Sequence, residues 1–308
     1  MYPIIKNLNK AQSWRSAMTI CIGVLAAGGQ SIVCVADKAA TYGDYIQWDA
    51  DETKIVPLEA TNGIVALVSG DDGHLDPVLR GINVANVGSD LKKLLDTSEK
   101  VYKEAITKMV TAEFLTPRLL KREEYVAAIS GTGLNPYMQE LADDIADFEL
   151  NCDLLLCGFD KNRKAYVISL RHPGVPADVT RSGFCAVGSG FEKAISRLLW
   201  SNWKRSYPVE RVLFDAFDAK ANAEMAVGVG YEWDAVILTS DHKRHEVPDE
   251  IKDLIEKAWE KWTRSPFHVK EKDDLEPPPK DWKEKLHQYI ESIVPSVSKK
   301  MPSQRGKL

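Results

Sequence analysis

Few residues in this 308-residue sequence announce a reaction by type and spacing alone. Five cysteines stand at positions 21, 34, 152, 157 and 185. Their number is odd, no two have the C-x-x-C spacing of a zinc or dithiol site, and most lie in apolar runs such as Ser31-Ile-Val-Cys-Val and Cys152-Asp-Leu-Leu-Leu-Cys157. They read as buried free thiols of a reducing, cytoplasmic compartment. The six histidines form no H-E-x-x-H pair, and His242 and His245, in Asp-His-Lys-Arg-His-Glu, read as part of a solvated turn. Gly188-Ser-Gly190 lacks the strand–helix context and spacing of a phosphate loop. Asp71-Asp72, next to Gly70, has the residue types of a turn cap, with the rim of a substrate site as the alternative. No metal or cofactor is expected from these groups. Taken singly, Thr19 is a good strand former, and Asp37 with Lys54 an ordinary surface ion pair worth ~0–1 kcal/mol.

The elements that would position these residues follow from hydrophobic period. Thr19-Ile-Cys-Ile-Gly-Val-Leu-Ala and Ser31-Ile-Val-Cys-Val-Ala-Asp37, joined by Gly28-Gly29, predict a β-hairpin. A third apolar run, Ile64 to Ser69, ends at Gly70. Val87, Leu91, Leu94, Leu95, Val101, Tyr102, Ala105 and Met109 then recur at helical spacing up to Pro117. A second helical pattern runs from Pro136 to Phe148, with Asn135 as N-cap and Pro136 at the first helical position. Strands return at Leu154–Gly158 and Ala165–Leu170 around the turn that starts at Asp160. Helical stretches at about 191–203 and 208–226 and a strand from Asp234 to Thr239 complete the pattern. Strands, two helices, strands, two helices and a strand predict two antiparallel sheets covered by helices on both outer faces, a layered α+β sandwich.

Composition sets the boundaries. Lys and Arg number 40 against 45 Asp and Glu, a formal net charge of −5, and 44% of residues are hydrophobic. That is a globular composition without the basic footprint of a nucleic-acid binder. No apolar run approaches the roughly 18–20 residues of a membrane span, so neither nucleic acid nor membrane is an expected partner. Residues 241–308 hold 15 bases and 14 acids and are almost twice as densely charged as the rest. They predict a helical appendage with two apolar stripes, Ile251, Leu254, Ile255, Ala258, Trp259 and Trp262, then Trp282, Leu286, Tyr289, Ile290 and Ile293, around Pro277-Pro-Pro279. The tail after Pro295 has a disordered composition. Residues 1–18 carry Lys6, Lys10 and Arg15 and no acid; they read as an extension or propeptide. The chain thus divides into 1–18, a core of 19–240 and the appendage 241–308.

Within that core the order of short motifs carries more than any one of them. Met18-Thr-Ile-Cys-Ile-Gly-Val, Val35-Ala-Asp-Lys-Ala-Ala-Thr-Tyr-Gly43, Thr53-Lys-Ile-Val56, Val68-Ser-Gly70, Leu155-Leu-Cys-Gly-Phe-Asp160 and Ala186-Val-Gly-Ser-Gly190 follow one another. Together with the helix-then-strand finish from Glu224 to Thr239, they resemble the proteasome β-type family of N-terminal-nucleophile hydrolases, in a bacterial proteasome-like form. The resemblance implies a four-layer αββα sandwich, peptide or protein substrates, no cofactor, and homo-oligomeric rings. It implies Thr19 as a nucleophile whose own α-amine, with a pKa near ~7.7–8.0, serves as general base. Lys54 becomes the ammonium beside it, Asp37 the carboxylate that holds Lys54, Gly70 the backbone donor to the oxyanion, and Ser189 a support for the amine. Glu224 replaces the family's aspartate, Val227 stands where the family has a serine hydroxyl, and Ala39 where an arginine is common. The segment from Leu119 to Asn135 is longer than the family's. Thr19 must also be exposed, either by self-cleavage after Met18 or by removal of Met18 as a start residue; the Met-Thr dipeptide favours the second route. An inactive structural subunit of the same fold and a small-molecule amidase are the alternatives.

Overall fold

A computed structural model describes residues 19–42, 46–49, 53–131, 135–263 and 279–294. The expected extension 1–18, Pro277 and Pro278, and the tail after Pro295 lie outside the described residues. The protein is a mixed α and β structure whose described strand pairings are all antiparallel. It divides into two compact units, residues 1–246 and 247–308.

In the first unit, one sheet joins β1 (Cys21–Ala26), β2 (Ser31–Asp37), β10 (Phe184–Val187), β11 (Trp233–Thr239) and β12 (Arg244–Glu246) in the order β10-β1-β2-β11-β12. A second contains β5 (Ile55–Pro57), β6 (Val65–Gly70), β7 (Cys152–Phe159), β8 (Ala165–Leu170) and β9 (Ala177–Asp178) in sequence order. A two-stranded ribbon pairs β3 (Ala39–Tyr42) with β4 (Ile46–Asp49). The β1–β2 hairpin runs in register from Cys21 opposite Ala36 to Ala26 opposite Ser31. Its turn needs left-handed backbone at Ala27, Gly28 and Gly29, which the two glycines adopt without steric cost.

Both strands of this hairpin are buried along their whole length, which is why they read as continuous apolar runs rather than alternating ones. Cys21, Leu25, Ile32 and Cys34 face Val65, Leu67, Leu155, Cys157 and Val167 of the second sheet. Cys34 and Cys185 both flank Gly23 in register, and a Cβ on Gly23 would meet the Cys157 sulfur at 2.9 Å, so glycine makes room for that thiol. The other face of the second sheet buries Leu154, Leu156, Ile168 and Leu170 against α1 (Asp72–Val84) and α2 (Leu91–Val110). Helices α5 (Phe191–Trp200) and α6 (Val209–Ala223) pack on the first sheet, with Phe217 4.6 Å from Trp233 between ring centroids.

The strand and helix order expected from the sequence needs correction between the two blocks. Among the described residues four α-helices, not two, separate β6 from β7. Helix α1 was missed: Asp71 is its N-cap, accepting from the Gly73 amide at 2.8 Å, and Leu75, Val78 and Ile82 are buried along one face. Pro77 and Gly81, both poor helix formers, obscured that periodicity. Helix α3 (Arg122–Ser130) occupies the long segment after Leu119 and buries none of its residues. It follows a π turn at Thr111–Leu115 and a 3-10 turn that ends on left-handed Leu119. Helix α4 (Pro136–Ala146) starts where Asn135 caps it, its side chain accepting from the Met138 amide at 2.8 Å.

In the second unit the two apolar stripes fall on α7 (Asp249–Thr263) and α8 (Trp282–Ile293), and the two helices contact one another. Among the described residues no helix is long and apolar enough to cross a membrane.

Candidate functional site

Thr19 is the run-in to β1, and Asp37 is the last residue of β2. The hairpin register therefore fixes them side by side: the Asp37 amide donates to the Ile20 carbonyl at 3.1 Å, and the Ile20 amide donates to Asp37 Oδ1 at 2.9 Å. The Thr19 hydroxyl also donates to Asp37 Oδ1. Lys54, just before β5, reaches the same oxygen with Nζ at 2.9 Å and donates to Thr19 Oγ as well. Its carbonyl accepts from the Val68 amide at 3.0 Å, which fastens its backbone to β6. The fourth donor to the carboxylate is the Gly230 amide, 2.9 Å from Oδ2. Thr19 is 3% exposed and Asp37 is fully buried, while the Lys54 side chain retains 17%. This pair is therefore not the surface ion pair that residue types alone suggest. Four donors on one carboxylate offset the desolvation that burial imposes.

The carbonyl side of Thr19 is held by the turn between β10 and α5. The Gly190 amide lies 3.3 Å from the Thr19 carbonyl oxygen, and Ser189 Oγ lies 3.4 Å from it and 3.1 Å from the Val227 carbonyl. One hydroxyl proton serves these two acceptors, so Ser189 ties Thr19 to the segment after α6. Gly188 has φ 98°, and a Cβ there would meet the Thr19 carbonyl oxygen at 2.3 Å, so only glycine permits so close an approach. Gly70 ends β6 with φ 144°, where a Cβ would stand 2.3 Å from the Asn151 carbonyl oxygen. Two residues earlier, Val68 accepts from the Cys21 thiol at 3.2 Å, so β6 borders both the Thr19 strand and Lys54.

Glu224 enters a different set of contacts. It is the C-cap of α6, and its carboxylate accepts from Lys220 Nζ at 2.7 Å. Val227 turns its side chain outward and contributes its carbonyl oxygen instead. Lys220 and Gly230 were not found from the sequence. A lysine at a core position of an otherwise apolar helical run, four residues before a glutamate, was the available clue to the first. A backbone amide leaves no such trace.

Other groups fall outside the Thr19 set. All five thiols are free, four buried and Cys185 partly so. Burial pushes the Cys21 thiol well above its ordinary range, against the opposing pull of the Lys54 charge, so Cys21 is a poor rival nucleophile. Burial likewise raises the Asp153 carboxyl on β7, with the Arg171 charge opposing. His242, at the β11–β12 turn, contacts the Asn62 carbonyl at 3.2 Å, and among the described residues no cluster of His, Cys, Asp or Glu could hold a metal. A cleft of about 770 Å³ lies against α2 and the start of α3, lined by Lys100, Lys103, Lys108 and Arg122 among others and by none of the Thr19 group.

The arrangement can polarise a hydroxyl. An ammonium that donates to Thr19 Oγ favours negative charge on it, and a carboxylate that accepts a hydrogen bond from the same hydroxyl leaves more electron density on its oxygen. Neither a protein-family model nor a curated protein matches this chain.

Proposed function

We propose that the chain is a proteasome-like threonine hydrolase of the N-terminal-nucleophile type, cleaving peptide bonds with Thr19 in a four-layer αββα sandwich. The observation that carries this reading is the contact of Thr19 Oγ with both Lys54 and Asp37 at the mouth of a buried hairpin. The helices on the outer faces of the two sheets, α1 and α2 on one and α5 and α6 on the other, support the layered fold. Assembly of identical subunits into rings and a cytoplasmic location belong to the same reading.

The chemistry requires Thr19 to carry a free α-amine. Thr19 Oγ attacks the substrate carbonyl carbon, its proton passes to that amine, and Lys54 stabilises charge on the oxygen that attacks. The tetrahedral oxyanion receives a backbone donor at Gly70, a contribution worth about 2.7–4 kcal/mol of barrier in other hydrolases. The protonated amine then gives its proton to the leaving nitrogen, and water hydrolyses the ester left on Thr19. Asp37 keeps the Lys54 ammonium in place throughout.

An electrophilic probe that forms adducts with terminal threonines, combined with intact N-terminal mass, tests this. The expected result is a chain starting at Thr19, an adduct of one probe per chain, and loss of that adduct in Thr19→Ala. A blocked N-terminus with no adduct would overturn the enzyme reading in favour of a structural subunit. Turnover of small amides but not of peptides would favour an amidase.

A further inference from the structure

We infer that Lys220 is a positioning residue that clamps the segment 224–231 onto Asp37, an inference that rests on the Thr19 reading for its catalytic part. Lys220 projects from α6 and is fully buried, which is rare for a lysine and costs free energy unless its charge is paired. Its two partners stand at opposite ends of the segment that follows the helix. Nζ donates to the Glu224 carboxylate at 2.7 Å, where the segment leaves α6, and to the Tyr231 carbonyl, where it approaches β11. One ammonium thereby closes a loop of eight residues.

The enclosed residues make the two contacts by which this segment reaches the site. The Val227 carbonyl accepts from Ser189 Oγ, and the Gly230 amide donates to Asp37 Oδ2. Gly230 directly precedes Tyr231, so a shift of the Tyr231 carbonyl moves the amide that faces Asp37. Side-chain burial gives the segment little other support: Met225, Val227 and Tyr231 are 68%, 79% and 79% exposed, and Val229 is its one buried large apolar side chain. With the clamp removed, Asp37 loses a fixed donor on Oδ2 and with it the orientation that presents Oδ1 to Thr19 and Lys54.

The test is Lys220→Met in the full chain, read in two ways. Amide hydrogen exchange at Gly230 is expected to accelerate at least tenfold, while Val236 in the middle of β11 keeps its wild-type rate. In peptide hydrolysis kcat is expected to fall at least tenfold with KM within twofold, because the loss concerns the geometry of the reacting group and not substrate contact. Unchanged exchange at Gly230 overturns the clamp. Faster exchange with unchanged kcat overturns its catalytic part. If the wild-type chain shows no Thr19-dependent turnover, the hydrolase reading fails while the exchange measurement still decides the clamp. Should Lys220→Met not fold, Lys220→Met with Glu224→Gln, which also removes the carboxylate charge that Lys220 balances, carries the same exchange measurement.

Discussion

At the scale of single residues, the site is organised around one carboxylate. Asp37 Oδ1 accepts from Thr19, Ile20 and Lys54, and Oδ2 from Gly230, so deleting it orphans four donors, one of them an ammonium with 17% exposure. Asp37→Ala is expected to lower unfolding free energy by about 3–5 kcal/mol, the range for breaking a buried ion pair from one side. Thr19→Ala leaves the pair intact and is expected to cost no more than about 1.5 kcal/mol. Urea unfolding of both variants checks the order, and a costlier Thr19→Ala would remove Asp37 from the centre of the site. Gly70→Ala is expected to cost about 1–3 kcal/mol by the same measurement, since an alanine there combines a left-handed φ with a Cβ 2.3 Å from a carbonyl oxygen. That Thr19, Asp37 and Lys54 belong together was legible because side-chain types and their order along the chain can be read. Gly230 was not, since what it supplies is a peptide N–H that every residue but proline owns.

Among the elements, legibility followed length and strength of period. The long runs that became β1, β2, β7, β8, α2 and α6 were readable, whereas β5, β9 and β12 have three residues or fewer and α3 buries no side chain that could set a period. Helix α1 was lost to Pro77 and Gly81, and Gly81 shows why the sequence tolerates the latter. An exposed helical glycine gains up to about 1 kcal/mol on replacement by alanine, but a Cβ on Gly81 would lie 2.5 Å from Val101 Cγ1 of α2. Gly81→Ala is therefore expected to destabilise, and Val101→Ala in the same chain to recover part of the loss; thermal unfolding of the single and double variants gives the sign. Strand β7 carries a second testable conflict. Burial raises the Asp153 carboxyl above its unfolded value of about 3.9. The unfolded chain then ionises first as pH rises, so this residue's contribution to stability falls with increasing pH from the unfolded pKa up to the folded one, and stays lost above it. Asp153→Asn is expected to remove that decline, seen as a Tm that rises relative to wild type as pH is raised from 3 to 7.

For the molecule as a whole, composition predicted buried free thiols but could not show that Cys21, Cys34, Cys157 and Cys185 meet between the two sheets while Cys152 packs on the other face of the second sheet. That convergence depends on strand register, with Cys34 and Cys185 on either side of Gly23 and Cys157 entering from the opposite sheet. A thiol reagent is accordingly expected to modify at most Cys185 rapidly in the native protein and all five cysteines in denaturant; early loss of two or more native thiols would contradict the buried arrangement. The charge shift near Ser240 precedes the division between the two units at Glu246, because β12 continues the first sheet through a polar sequence that charge density alone cannot distinguish from an appendage. The anchorage of Thr19 bears on how the proposed nucleophile is exposed. Every described bond to Thr19 and to the peptide unit after it comes from residues later in the chain: Asp37, Lys54, Ser189 and Gly190. Scission of the bond before Thr19 leaves each of these attachments in place. On the proposed hydrolase reading, exposing the α-amine then adds a general base to a site whose other described contacts are already made.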